Sequence, residues 1–128
     1  MPPHPLWGSI LDRVEIDLLN LSARLDLHIV SRISTSSHSL HFESVSDFRW
    51  FSDIPEQWNY AEITQINSSR LSSDRLQVDV MLWSEDAGIT ITARRVLFDG
   101  EDAERFITDY KFAWSKFPEL RNGSTPPQ

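Results

Sequence analysis

Apolar and polar residues alternate with period two along most of this chain, the mark of strands that bury one face and wet the other. Val14, Ile16 and Leu18 alternate with Glu15 and Asp17. The phase then slips at Leu18 and Leu19, and Leu21, Ala23, Leu25, Leu27 and Ile29 take up the pattern again. A slip of one residue sends every later side chain to the opposite face, so a bulge or turn is expected near Asn20, between a short first strand and a long second one. The Ser-rich residues 31–39 read as a turn or short loop. Leu40 and Phe42 restart the alternation, and Val45, Phe48 and Trp50 continue it out of phase. Residues 51–57, with Asp53 and Pro55, read as a loop, residues 58–66 as a strand and residues 67–74 as a polar connection. The clearest pair is a hairpin: Leu76, Val78, Val80 and Leu82 alternate on one arm, Ile89, Ile91 and Ala93 on the other, with SEDAG between them.

One helix is expected at the end. Asp99 suits the N-cap, Glu101, Asp102 and Glu104 suit the positive end of the dipole, and Ala103, Phe106, Ile107, Tyr110 and Trp114 form one apolar stripe that ends at Pro118. The expected fold class is therefore α+β: an antiparallel β-meander sheet of about six strands with one C-terminal helix packed on it. Length and a 40% hydrophobic content suit a single domain over residues 1–118, followed by a disordered tail over residues 119–128.

Composition removes several classes of function. Without cysteine there is no disulfide scaffold, thiolate metal site or cysteine nucleophile. A net charge of −7 argues against nucleic acid as partner, since that needs a basic face. No apolar run is long enough for a bilayer and residues 1–11 carry no secretion signal, so a cytoplasmic location is the default and the sequons at Asn20, Asn67 and Asn122 carry no weight. Four glycines build no phosphate loop, and no serine sits in a nucleophile elbow. The carboxylate pairs Glu85/Asp86 and Glu101/Asp102 fall at exposed positions where nothing would raise a pKa. His38 and His41 are three apart in a strand and point to opposite faces, while His28 and His41 could meet across paired strands as two ligands without a third. No catalytic residue, metal site or cofactor is expected.

Residues 42–60 stand out, with six aromatic residues (Phe42, Phe48, Trp50, Phe51, Trp58, Tyr60) and Glu43, Asp47, Asp53 and Glu56 against the single base Arg49. Alternation assigns Phe42 and Phe48 to the core. Aromatics on a loop beside carboxylates make an interaction surface, so Glu43, Asp47, Trp50, Asp53, Glu56 and Trp58 are the candidate protein-binding residues.

The succession LDLHIV, LHFESVSDFRW, WNYAEITQI and LQVDVMLWSEDAGITITARRV resembles a group of small bacterial domains that includes immunity proteins of polymorphic toxin systems. The matching positions are Phe42, Val45, Phe48 and Arg49, then Glu62 and Ile63, then Gly88, within residues 10–97. The ITARRV ending and the terminal helix depart from that pattern. The resemblance implies tight binding to a partner protein and no catalytic residues. An acidic protein of this kind would suit a basic, nuclease-like toxin domain. Two other readings stand beside it: a small-molecule pocket between sheet and helix lined by Tyr110, Trp114 and Trp83, and a homodimer through the strand at residues 21–31.

Overall fold

The structure is a computed structural model and describes residues 4–31, 34–54, 57–83 and 86–117. Nine strands form one sheet: β1 (Ile10–Asp17), β2 (Ser22–Val30), β3 (Thr35–Glu43), β4 (Asp47–Ser52), β5 (Ala61–Ser72), β6 (Arg75–Leu82), β7 (Ala87–Ala93), β8 (Arg95–Phe98) and β9 (Glu101–Asp102). Two short helices follow, α1 (Glu104–Thr108) and α2 (Tyr110–Lys116). All pairings are antiparallel, in the order β4-β7-β6-β5-β1-β2-β3-β8-β9. The α+β class holds, but with nine strands rather than six, and with two meanders, β1–β3 and β5–β7, instead of one.

The two meanders are joined twice. Ile10 and Leu11 pair with Glu62 and Ala61. On the far side β4 pairs with β7 and β3 with β8, and the gap between those ladders is bridged by Ser46 N–H to Thr92 O (2.9 Å) and Arg94 N–H to Glu43 O (3.0 Å). Residues 35–52 therefore run as one bent strand against residues 87–98. The sheet closes into a ring, with its apolar faces turned inward. Leu25, Leu27, Leu40 and Phe42 from one half meet Val78, Val80, Ile89 and Ile91 from the other, all essentially solvent-free. Alternation on β2, β6 and β7 is the sequence's record of that inner face.

Other differences have local causes. β5 starts later than residue 58 and runs on through Asn67–Ser72, because pairing with β6 overrides its polar composition. Ser36, Ser37 and Ser39 lie in β3 and not in a loop, held by the β2 ladder. Asp99 is no helix cap. Asp99 and Gly100 have φ of 51° and 88° and form the two-residue turn of a β8–β9 hairpin, with Phe98 opposite Glu101. The Asp99 carboxylate accepts from Ser39 N–H (2.9 Å) and from His38 Nδ1 (2.6 Å), tying the hairpin to β3. The single expected helix is broken at Asp109, which caps α2 by accepting from the N–H groups of Lys111 and Phe112. Within the expected stripe Ala103, Phe106, Ile107 and Trp114 are buried, while Tyr110 is partly exposed.

The helices close one end of the ring. Phe98 stacks on Phe106 (4.5 Å between centroids), and Phe117 meets both edge-on. No helix among the described residues is long and apolar enough to cross a membrane. The expected tail and the centre of the SEDAG loop lie outside the described residues.

Candidate functional site

The end of the ring away from the helices carries a cluster of exposed aliphatic residues. Asp17 builds the β1–β2 turn: its Oδ1 accepts from the N–H groups of Leu19 (3.0 Å) and Asn20 (3.1 Å), and its Oδ2 from the Asn20 side chain (2.7 Å). Those bonds hold the Asp17 carboxyl below the usual carboxylate range, the Asn20 side chain contributing most. A turn secured this way does not need its other side chains, and it displays three leucines to water. Leu18 is 80% exposed, Leu19 95% and Leu21 56%. Ile16 beside them is also exposed.

Leu21 takes φ of 52°, a left-handed conformation uncommon for a leucine, and its carbonyl accepts from Val45 N–H (2.7 Å). Ser44, next to Val45, is left-handed as well (φ 54°). Two strained residues thus pin the hairpin tip to the corner between β3 and β4. A groove of about 330 Å³ lies between them, walled by Ile16, Leu18, Leu21, Val45 and Phe48, with Asp17 and Asp47 on its rim. A second hollow of about 600 Å³ shares Ile16, Asp17, Leu18 and Ser22 and continues over Glu15, Arg24 and His41.

The expected acidic-aromatic surface is only partly assembled here. Asp47 lines the groove, and its Oδ2 lies 2.8 Å from Arg49 Nε. Phe48 and Trp50 face Ile91 and Ile89 across the ladder, so both sit on the core side of β4. Phe48 packs against the core as expected, whereas Trp50 lies one pleat further along the sheet edge and is 64% exposed. Phe51 is on the opposite face, its ring over Gly88. Glu43 belongs to the seam between the two halves, where it faces Arg95 (3.6 Å), and not to the groove. Asp53 is exposed at the far end of β4, about 20 Å along the strand from Asp47. Its N–H bonds Asp86 O. Trp58 is half-buried against the core. Glu56 lies outside the described residues.

Alternation did point to Val14, Ile16 and Leu18 as one face, but not to their exposure. The available signal was Leu-Leu-Asn-Leu across a phase slip, since turn positions are ordinarily polar.

The histidines are occupied elsewhere. His28 lies opposite Ser37 and His41 opposite Arg24, so they do not meet. His28 Nδ1 contacts Asp12 (2.9 Å), and His38 is held between Asp99 and Ser36 Oγ (2.8 Å). Among the described residues no three His, Asp or Glu side chains converge on a point where a metal ion could sit. Tyr110, Trp114 and Trp83 are not gathered around one space. Trp83 meets Tyr60 edge-on next to the Ile63–Leu82 end of the β5–β6 ladder, whereas α1 is tied by Glu104 to Arg70 at the other end, about 20 Å away. The strand at residues 21–31 has both edges occupied, by β1 and β3.

Compared with models of known protein families and with curated proteins, the chain matches none.

Proposed function

We propose that this chain is a non-catalytic protein-binding domain that docks a partner protein on the β1–β2 turn and the adjoining groove. The observation that carries this reading is the set of contiguous aliphatic side chains displayed there, Leu18 and Leu19 above all. Monomeric proteins rarely leave such a patch uncovered without an interaction to serve. Full burial of one leucine is worth about 1.5–3 kcal/mol, so these two supply a hot spot at small cost to the free protein. The net charge of −7 favours a basic partner and speeds its encounter. Together with the resemblance to immunity proteins, these features support a cytoplasmic bacterial immunity protein that neutralises a cognate, nuclease-like toxin.

Co-expression with the product of the adjacent reading frame tests this. The chain should co-purify with that product and restore growth, and Leu18→Ser/Leu19→Ser should abolish both while leaving the urea midpoint unchanged. Equal rescue by the doubly substituted chain would show that the turn is not the docking surface.

A further inference from the structure

The helix-closed end of the ring holds an arrangement that the docking surface does not use. Ser36 and His38 are two residues apart on β3, so both side chains share the inner face that carries Leu40 and Phe42. His38 Nδ1 lies 2.6 Å from Asp99 Oδ2, and its Nε2 lies 2.8 Å from Ser36 Oγ. A carboxylate only accepts, so Nδ1 carries the proton of the neutral ring, and the lone pair on Nε2 accepts from the Ser36 hydroxyl. The Ser36 proton is thus already bonded to a base whose tautomer is fixed from behind. That base is held firmly. The second Asp99 oxygen accepts from Ser39 N–H (2.9 Å), and the His38 ring stacks on Phe98 (5.1 Å) and meets Phe117 edge-on (5.4 Å). Only 9% of the His38 side chain is exposed, whereas Ser36 at the rim is open enough to meet a small molecule from solvent. A donor for developing negative charge stands beside it. Ser39 N–H and C=O both turn to Asp99, and Ser37 N–H, two residues back, turns the same way, past the Leu40–Phe98 end of the β3–β8 ladder. The N–H of the residue after a nucleophile is a usual place for such a donor.

We propose that Ser36 is a covalent modification site, a nucleophile that accepts one acyl group from an activated ester. Ser36 Oγ attacks the carbonyl carbon while its proton passes to His38 Nε2, and Asp99 stabilises the imidazolium that forms. The oxyanion develops beside Ser37 N–H. As the carbonyl re-forms, the bond to the leaving oxygen breaks and that oxygen takes the proton from His38. The products are the Ser36 ester and a free alcohol. The site lies about 20 Å along β3 from the β1–β2 turn, so it is independent of the docking surface.

The test incubates the full chain with p-nitrophenyl acetate, follows p-nitrophenolate by absorbance, and locates the acetyl group by tandem mass spectrometry after acid quenching. A burst of one p-nitrophenolate per chain is expected, with the acetyl group on Ser36. Ser36→Ala should lose the burst. Asp99→Asn separates chemistry from structure. Asn keeps an oxygen for Ser39 N–H and suits the left-handed position before Gly100, but its amide N–H would donate to Nδ1 and force the ring proton onto Nε2. Acetylation of Ser36 should then slow about 100-fold, within the range of about 10²–10⁴ that a positioned base supplies, while the melting temperature holds. Long-range proton–nitrogen spectra should show the protonated nitrogen of His38 change from Nδ1 in the parent to Nε2 in this variant. Acetyl groups confined to lysines or the N-terminus, a burst that survives Ser36→Ala, or an unchanged rate in Asp99→Asn would overturn the proposal. A His38 ring protonated at Nε2 alone in the parent would overturn it as well.

Discussion

His4 is buried, and both ring nitrogens are used: Nε2–H donates to Phe106 O (2.7 Å), and Nδ1 accepts from Leu6 N–H (3.1 Å). The Phe106 carbonyl needs this bond, because α1 ends at Thr108 and offers it no N–H four residues on. His4→Ala would leave that carbonyl and the Leu6 N–H unpaired in a dry site, at about 1–3 kcal/mol each. The edge-on ring contact with Phe106 (5.1 Å) would go as well. The expected loss is about 2–5 kcal/mol, a large part of the roughly 5–15 kcal/mol that holds such a domain together. Urea unfolding followed by tryptophan fluorescence should read this as a lower midpoint at unchanged slope, and the melting temperature should fall by about 10 °C or more. The same ring makes a prediction about pH. Burial lowers the His4 pKa below 6.5, against the smaller opposing effect of the Phe106 carbonyl. Above pH 6.5 the ring is neutral in folded and unfolded chains, and its contribution is complete. As pH falls below 6.5 the unfolded chain takes up a proton that the folded one refuses, so stability is lost down to the folded pKa. The difference in stability between parent and variant should therefore shrink between pH 7 and pH 5. A loss under about 0.5 kcal/mol at pH 7.5, or a difference that does not change with pH, would refute this account of His4.

Three further substitutions have definite outcomes. Gly88→Ala places a Cβ 2.9 Å from the Val80 carbonyl oxygen and 3.0 Å from the Phe51 ring, and because the first is fixed backbone a loss of about 1–3 kcal/mol is expected. Trimming Phe51 to Ala should not restore it, and restoration would show that the ring alone sets the limit. Leu21→Asn relieves the left-handed backbone, so the urea midpoint should rise by the equivalent of about 0.5–1 kcal/mol while partner binding falls. A less stable variant would mean that the Leu21 side chain outweighs the strain. Arg70 holds the Glu104 carboxyl below its ordinary range through paired hydrogen bonds (3.0 and 2.6 Å). That contribution is present above the unfolded pKa of about 4.5 and is lost as pH falls through the folded one, so Glu104→Gln should matter at pH 7 and cease to matter near pH 3, as thermal melts at the two pH values would show.

What the sequence made legible depended on whether local pattern and tertiary pairing agreed. The β6–β7 hairpin was plain because every inward position is apolar and both strands are flanked on each side. The Ser-rich start of β3 and the polar end of β5 were hidden, because their strand geometry comes from the ladders beside them and not from their own residues. Asp99-Gly100 carried a correct signal under the wrong heading: Asp before a helical stripe suggests a cap, but Asp-Gly between Val-Leu-Phe and Glu-Asp is also a two-residue hairpin turn. Of the candidate site, Asp47 was legible as part of an acidic-aromatic surface, but that surface was expected on a loop, whereas Asp47 opens strand β4 and Trp50 lies further along it. The leucines were not, because alternation reports which face a residue shares and cannot report where the opposing sheet stops.

Closure of the ring also sets a timetable for the protein's synthesis. Phe42 must wait for Val96 and Asp47 for Thr92, partners roughly 50 residues further along, so topology of this kind folds on the millisecond-to-second scale. At about 5–20 residues per second the ribosome leaves the β1–β3 meander without its closing strands for roughly 3–10 s. During that interval the inner faces of β2 and β3 and the leucines of the turn lie open together on the nascent chain. The bulge between Leu11 and Arg13 and the charges of Arg13 and Glu15 lie on the outer strand of that meander, where they hinder pairing with another emerging chain. The surface proposed to capture a partner is thus complete in sequence early, but it acquires a rigid backing only when β7 and β8 arrive. A nascent chain can display the leucines before it can use them.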